Sequence, residues 1–157
     1  MKKIASTTAL CLTLALLATP AQARPVTITT TMKPYGGDGA YLALYLTNAQ
    51  GTYSRTLWVS GRKTKYWSHL SGWYRATRGA PAGVDAITGA SIGSGRTLTV
   101  TVDIADALIN AGYQIRVDSA VEDIADRPAE VVAPLAASGR RQAVAGRGFV
   151  QSLQYNF

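Results

Sequence analysis

Cysteine and histidine are nearly absent from this chain. Its 157 residues hold one cysteine, Cys11, inside an apolar stretch near the N-terminus, and one histidine, His69. Beyond residue 23 there is no thiol, which excludes disulfides, thiolate metal sites and cysteine nucleophiles from the body of the chain. A metal site would have to join His69 to carboxylates, which are themselves scarce at 9 against 16 lysines and arginines. Haem ligation by His69, with Met32 as a second ligand, has no Cys-x-x-Cys-His sequence behind it. There is no βαβ rhythm, no internal repeat and no Gly-x-Gly-x-x-Gly turn after a strand, so a Rossmann-type nucleotide site is not expected.

Long apolar runs are also missing, apart from Ile4 to Leu17. That run is too short for a retained membrane span. Lys2 and Lys3 precede it, and Pro20 and the small-x-small sequence Ala21-Gln22-Ala23 follow it. Residues 1–23 therefore read as a cleaved secretory signal peptide. Residues 24–157 read as a single periplasmic domain of about 134 residues, long enough for a real core. Without Lys2 and Lys3 the 16 basic residues fall to 14 against 9 acidic ones, so the net charge drops from +7 to +5. The surplus is scattered, with small clusters at Arg62-Lys63-Thr64-Lys65 and Arg140-Arg141. Nucleic acid is not an expected partner, because a concentrated basic stripe is lacking. The surplus fits a solvated face, or attraction to an anionic ligand.

What is present is mostly β-pattern. Val26 to Met32 is a β-branched alternating run. Tyr41 to Thr47 is apolar on both faces, as a central strand would be, and Tyr53 to Val59 returns from it as a hairpin. Arg96 to Asp103 alternates, with Leu98, Val100 and Val102 facing inward. Ile104 to Asn110 reads as a helical turn or an irregular connection. Tyr113 to Val121, Glu130 to Leu135 and Phe149 to Tyr155 complete the strands, with an acidic turn over Glu122 to Pro128. Lys65 to Thr77 changes period: Trp67, Leu70 and Tyr74, with Trp73 beside them, predict one short amphipathic helix. The expected fold is mainly β, an antiparallel immunoglobulin-like β-sandwich with one short helix.

The most specific stretch is Asp85-Ala86-Ile87-Thr88-Gly89-Ala90-Ser91, followed by Ile92-Gly93-Ser94-Gly95. Ser91 is flanked by small residues on the side of the motif, so a bulky group can approach its hydroxyl. Gly89 permits φ > 0, which would turn the loop back to present that hydroxyl. The plain alternative is a connecting loop, since Thr-Gly and Gly-Ser-Gly are turn vocabulary. Just ahead lie all three tryptophans, Trp58, Trp67 and Trp73. They read as core residues fixing the helix to the sheet, or as a platform on which a flat ring could stack.

Two resemblances rest on these residues. Asp85…Thr88-Gly89-Ala90-Ser91 resembles the acceptor motif of covalently flavinylated bacterial domains, Asp-x-x-(Ser/Thr)-Gly-Ala-(Thr/Ser). There a periplasmic flavin transferase joins FMN through a phosphoester to the last hydroxyl. The resemblance implies Ser91 as the acceptor, in place of the usual threonine, with Asp85, Thr88, Gly89 and Ala90 as its recognition frame. Separately, nearly the whole chain beyond residue 23 resembles a family of predicted periplasmic proteins, the domain of unknown function numbered 2271. Arg55-Thr56-Leu57-Trp58, Lys65-Tyr66-Trp67 through Leu70 to Trp73, Asp85 to Ser91, and Gly112-Tyr113 leading to Glu122 carry that likeness. The two together imply an electron-transfer protein with covalent FMN on Ser91, the ring set against Trp67 and Trp73. Its implied partners are a periplasmic flavin transferase and a membrane-bound redox or iron-uptake protein, linked to iron or haem reduction. The reading left beside it is a non-redox periplasmic binding module of immunoglobulin-like fold.

Other chemistry is less supported. A Ser91–His69–Asp85 triad can be written on paper, but no nucleophile elbow surrounds Ser91. The acidic group Asp118, Glu122, Asp123, Asp126 and Glu130 lacks EF-hand spacing and reads as a solvated turn.

Overall fold

The structure is a computed structural model that describes residues 22–79, 84 and 87–157; residues 1–21 of the expected signal segment and Asp85 lie outside the described residues, while Ala23 at its end begins the first strand. Two sheets face each other. One has four strands and the other five. The first sheet is built on β1 (Ala23–Met32), which lies between β5 (Thr97–Ala105) and β9 (Val150–Asn156), antiparallel to both; β8 (Val144–Ala145) extends β9. Val26, Ile28, Thr30 and Met32 of β1 are buried, while Thr27, Thr29 and Thr31 between them are partly exposed, which is the period-2 alternation of a strand covered on one face.

The second sheet holds the hairpin of β2 (Tyr41–Thr47) and β3 (Tyr53–Ser60). At its turn the Asn48 side chain accepts hydrogen bonds from the backbone N–H of Gln50 and Thr52, at 3.0 and 2.9 Å. β6 (Gln114–Val121) pairs with the other side of β2, and β7 (Ala125–Pro134) forms the far edge. β4 (Thr88–Gly89) is a short parallel addition beside β3.

The two-faced apolar pattern of β2 has a simple cause: this sheet is covered on both sides. Leu42, Leu44 and Leu46 enter the core between the sheets, whereas Ala43 and Tyr45 enter a second core. That second core lies beneath a helical segment carrying Trp67, Leu70 and Trp73. A single amphipathic helix was expected there. The segment is instead a 3-10 turn over Thr64–His69, a break at Leu70, and α1 (Ser71–Ala76). Its buried residues recur at a spacing of three, which suits the three-residue 3-10 turn and not a continuous 3.6-residue helix. Tyr74, expected on the buried stripe, is only half-buried.

Two buried carboxylates tie these layers together. Asp118 of β6, fully buried, accepts hydrogen bonds from the Tyr45 hydroxyl at 2.9 Å and from the backbone N–H of Trp73 and Ala129 at 2.7 and 2.8 Å. It thereby satisfies an orphan donor in the first turn of α1 from across the second core. Glu130 of β7 accepts from the N–H groups of Gly148 and Val150 and from the Ser119 hydroxyl, joining the two sheets at the start of β9. These two acids were read as members of a solvated turn, and the structure corrects that: they are buried and hydrogen-bonded. The expected turn over Glu122 to Pro128 is also shorter, because β7 begins at Ala125 and runs through Pro128. A proline is tolerated there because β7 is the edge strand of its sheet among the described residues, and Pro128 falls at the irregularity between the Val117–Val131 and Ser119–Arg127 pairs.

Candidate functional site

The motif that ends in Ser91 crosses the end of the β2–β3 hairpin. Thr88 and Gly89 run parallel to Val59 and Ser60, and the Gly61 N–H donates to the Gly89 carbonyl at 2.8 Å. Three residues on, Ile92 and Ala40 exchange backbone hydrogen bonds of 2.7 and 2.9 Å. Ala90 and Ser91, between these anchors, are exposed. The loop is therefore pinned on both sides of the hydroxyl it presents.

Gly89 does not turn the chain back through positive φ as the sequence suggested; it lies in β4 with the extended backbone any residue adopts. What demands glycine is contact. A Cβ on Gly89 would stand 2.7 Å from the Trp58 ring, closer than carbon atoms approach. A second close approach holds the acceptor: a Cβ on Gly39 would stand 2.7 Å from Ser91 Oγ. The Gly36-Gly37-Asp38-Gly39 turn thus leaves room for the serine side chain.

The other expected site residues are placed as follows. Asp85 lies outside the described residues, so the Asp85 end of the motif and the paper triad have no geometry here. Trp67 and Trp73 meet edge to face at 5.6 Å in the second core, and their indole N–H groups donate to the Gly61 carbonyl and the Thr56 hydroxyl at 2.8 and 2.9 Å. Trp73 is fully buried and Trp67 nearly so. His69 is exposed and lies 3.1 Å from the Asp126 carboxylate, whereas Met32 is buried between the sheets, so the structure does not bring that pair together. Among the described residues no three His, Asp or Glu side chains converge as a metal site would require.

Sequence reasoning missed the cavity beside this loop. A cleft of about 560 Å³ opens between the 3-10 turn and the β6–β7 turn, lined by Tyr41, Tyr66, His69, Glu122, Ile124 and Asp126, among others. The Tyr41 and Tyr66 rings meet edge to face at 5.5 Å, and the Tyr66 hydroxyl donates to Glu122 at 3.1 Å. Burial pushes the Tyr41 phenol above its ordinary pKa, with a hydrogen bond to the backbone of Lys63 acting the other way. Ile124 stands 52% exposed on the cavity wall. The cleft adjoins the Ser91 loop through residues 37–41: a Cβ on Gly37 would meet Ile124, one on Gly39 would meet Ser91, and Tyr41 follows. Two signals for it stood in the sequence, a lone isoleucine within an acidic turn and a run of glycines just ahead of Tyr41.

A two-sheet body, a helical cover carrying the Lys65-Tyr66-Trp67 to Trp73 segment, and the Ser91 loop pinned against β2 and β3 are the frame for comparison with known proteins. The family of predicted periplasmic proteins designated DUF2271 matches residues 23–152. The chain belongs to that family. The match takes in both sheets, the helical cover and the Ser91 loop, and so nearly all the described structure. Comparison with curated proteins and with solved structures finds no match.

Proposed function

We propose that this chain is a periplasmic electron-transfer protein that carries FMN as a phosphoester on Ser91. The observation that carries the reading is an exposed hydroxyl at the end of Thr88-Gly89-Ala90-Ser91, on a loop fixed from both sides and backed by a glycine. An attachment point for a transferase needs these two properties, access for a second active site and a defined position.

The residues present fit the group. Ser91 and Ala90 offer no bulk against an incoming phosphate, and Gly39 gives the serine side chain space. In the attachment step the Ser91 oxygen forms a bond to the FMN phosphorus of a phosphoanhydride donor. The anhydride P–O bond breaks, its remaining phosphate or nucleotide leaves, and the hydroxyl proton is released. Bound FMN supplies reversible uptake of two electrons and two protons. The sandwich holds the attachment loop rigid, which fixes the distance a partner must approach. A periplasmic flavin transferase is the partner that loads the protein, and a membrane-bound redox or iron-uptake protein the partner that exchanges electrons with it.

The reading is tested by the mass of protein coexpressed with a flavin transferase, mapped to the Ser91 peptide. One observation favours a second reading, a non-redox binding module: the cleft is preformed and lined by side chains suited to a small organic ligand. Under that reading the protein stays colourless and the cleft takes its ligand with no attachment at Ser91.

A further inference from the structure

We infer that the Tyr41–Tyr66–Ile124 cleft is the seat of a planar, partly apolar ring system of the isoalloxazine kind, an inference that rests on the reading of Ser91 as the attachment point. The cleft, at about 560 Å³, is within the roughly 300–1,000 Å³ typical of small-molecule sites. Its chemistry is that of a flat ring's surroundings. Two phenols set edge to face form one wall, and Ala120, Val121 and Ala125 add apolar lining. Tyr41 is held in place because its ring lies directly against Gly61, where any Cβ would collide with it. Ile124 is the exposed large hydrophobic side chain among the described residues, and it stands on this wall. A seated ring covers it.

Position makes the same case. Tyr41 lines the cleft, and just before it Gly37 lies against Ile124 of the cleft wall and Gly39 lies against Ser91. Trp67 and Trp73 are buried beneath the helical cover, whereas Tyr41 and Tyr66 line the cleft.

Glu122, Asp123 and Asp126 rim the cleft. Their negative charge opposes addition of electrons to a seated ring, so the seat holds the ring at a lower potential than water does. Glu122 is oriented by the Tyr66 hydroxyl, and Asp126 is partnered by His69.

The experiment uses the full chain loaded in a periplasm and compares it with Ile124→Asp, Tyr66→Leu and Glu122→Gln. The seat predicts unchanged mass gain in all three variants, with flavin fluorescence rising several-fold in Ile124→Asp and Tyr66→Leu as the quenching phenols lose the ring. It also predicts a higher midpoint potential in Glu122→Gln. Ile124 is exposed, so its variant keeps the fold even if Tyr66→Leu does not. Unchanged fluorescence and potential, with mass gain intact, overturn the seat and leave the attachment standing. If the wild-type chain gains no mass, the attachment reading fails, and riboflavin titrated into the unmodified protein decides the seat. Quenching on binding that Ile124→Asp abolishes supports a site for free flavin; no binding overturns it.

Discussion

Gly39 and Ser91 fit together as space and occupant: a Cβ on residue 39 would lie 2.7 Å from the serine hydroxyl oxygen and 3.1 Å from its Cβ. The proposed attachment point is thus set by its neighbour across the Ala40–Ile92 bridge as well as by its own loop. Gly39→Ala must push the serine side chain aside or spread the bridge. It is expected to cost about 1–3 kcal/mol of stability, as overpacking does, and to slow modification of Ser91. Thermal unfolding and a mass time course measure the two effects, and a variant modified at the wild-type rate removes Gly39 from the account.

Asp118 answers three donors at once, two of them buried and the Ala129 N–H partly so. Asp118→Ala leaves the Tyr45 hydroxyl and the N–H groups of Trp73 and Ala129 without that partner, each worth about 1–3 kcal/mol when left unsatisfied. Loss of about 3 kcal/mol or more is expected, centred on α1 and the second core. Tyr45→Phe, which deletes one donor and leaves the carboxylate two others, should cost about 1–2 kcal/mol. Denaturant unfolding orders the two variants, and equal losses would contradict the shared-acceptor picture.

Tyr45 also sets an alkaline limit. Burial, then the charge and hydrogen bond of Asp118, push its phenol well above the ordinary value of 10.0. The folded state therefore holds this proton more tightly than the unfolded state. That contribution is complete below the unfolded pKa near 10 and is lost as pH rises from there toward the folded value. Stability should fall above about pH 10, and the fall should be shallower in Tyr45→Phe, whose lower starting stability is set by the lost hydrogen bond. Urea midpoints between neutral and strongly alkaline pH test this, and identical slopes for the two proteins would exclude Tyr45 as the source.

Thr30 points into the core between the sheets, and its buried hydroxyl has no hydrogen-bond partner among the described residues. Thr30→Val keeps the shape and removes the unpaired group. A gain of about 1 kcal/mol is expected, within the range assigned to an unsatisfied buried polar group, and is read from the urea midpoint. A loss would mean that the hydroxyl has a partner such as ordered water.

Much of this fold could be read from residue patterns because its strands alternate. Val26 to Met32 and Arg96 to Asp103 showed one covered face, and Tyr41 to Thr47 showed two. What escaped was set by long-range contact. Nothing local to Asp118 or Glu130 distinguishes a buried acceptor from a solvated acid; their donors lie 11 to 73 positions away. The helical cover was misread as continuous because Tyr74 and Trp73 both fit an apolar stripe, and only the sheet below selects Trp73. The stretch ending in Ser91 stood out through its residue pattern. The cleft beside it did not, since Tyr41, Tyr66 and Ile124 come from three separate segments.

The measurement that bears most directly on the central claim is the intact mass of the exported protein, made with and without an active flavin transferase, for wild type and for Ser91→Ala. The account predicts a gain of one FMN less one water in wild type only with the transferase, located on the Ser91 peptide, and no gain in Ser91→Ala. Wild-type protein that stays unmodified beside a transferase active on a control substrate, or Ser91→Ala that still takes up FMN, would contradict it.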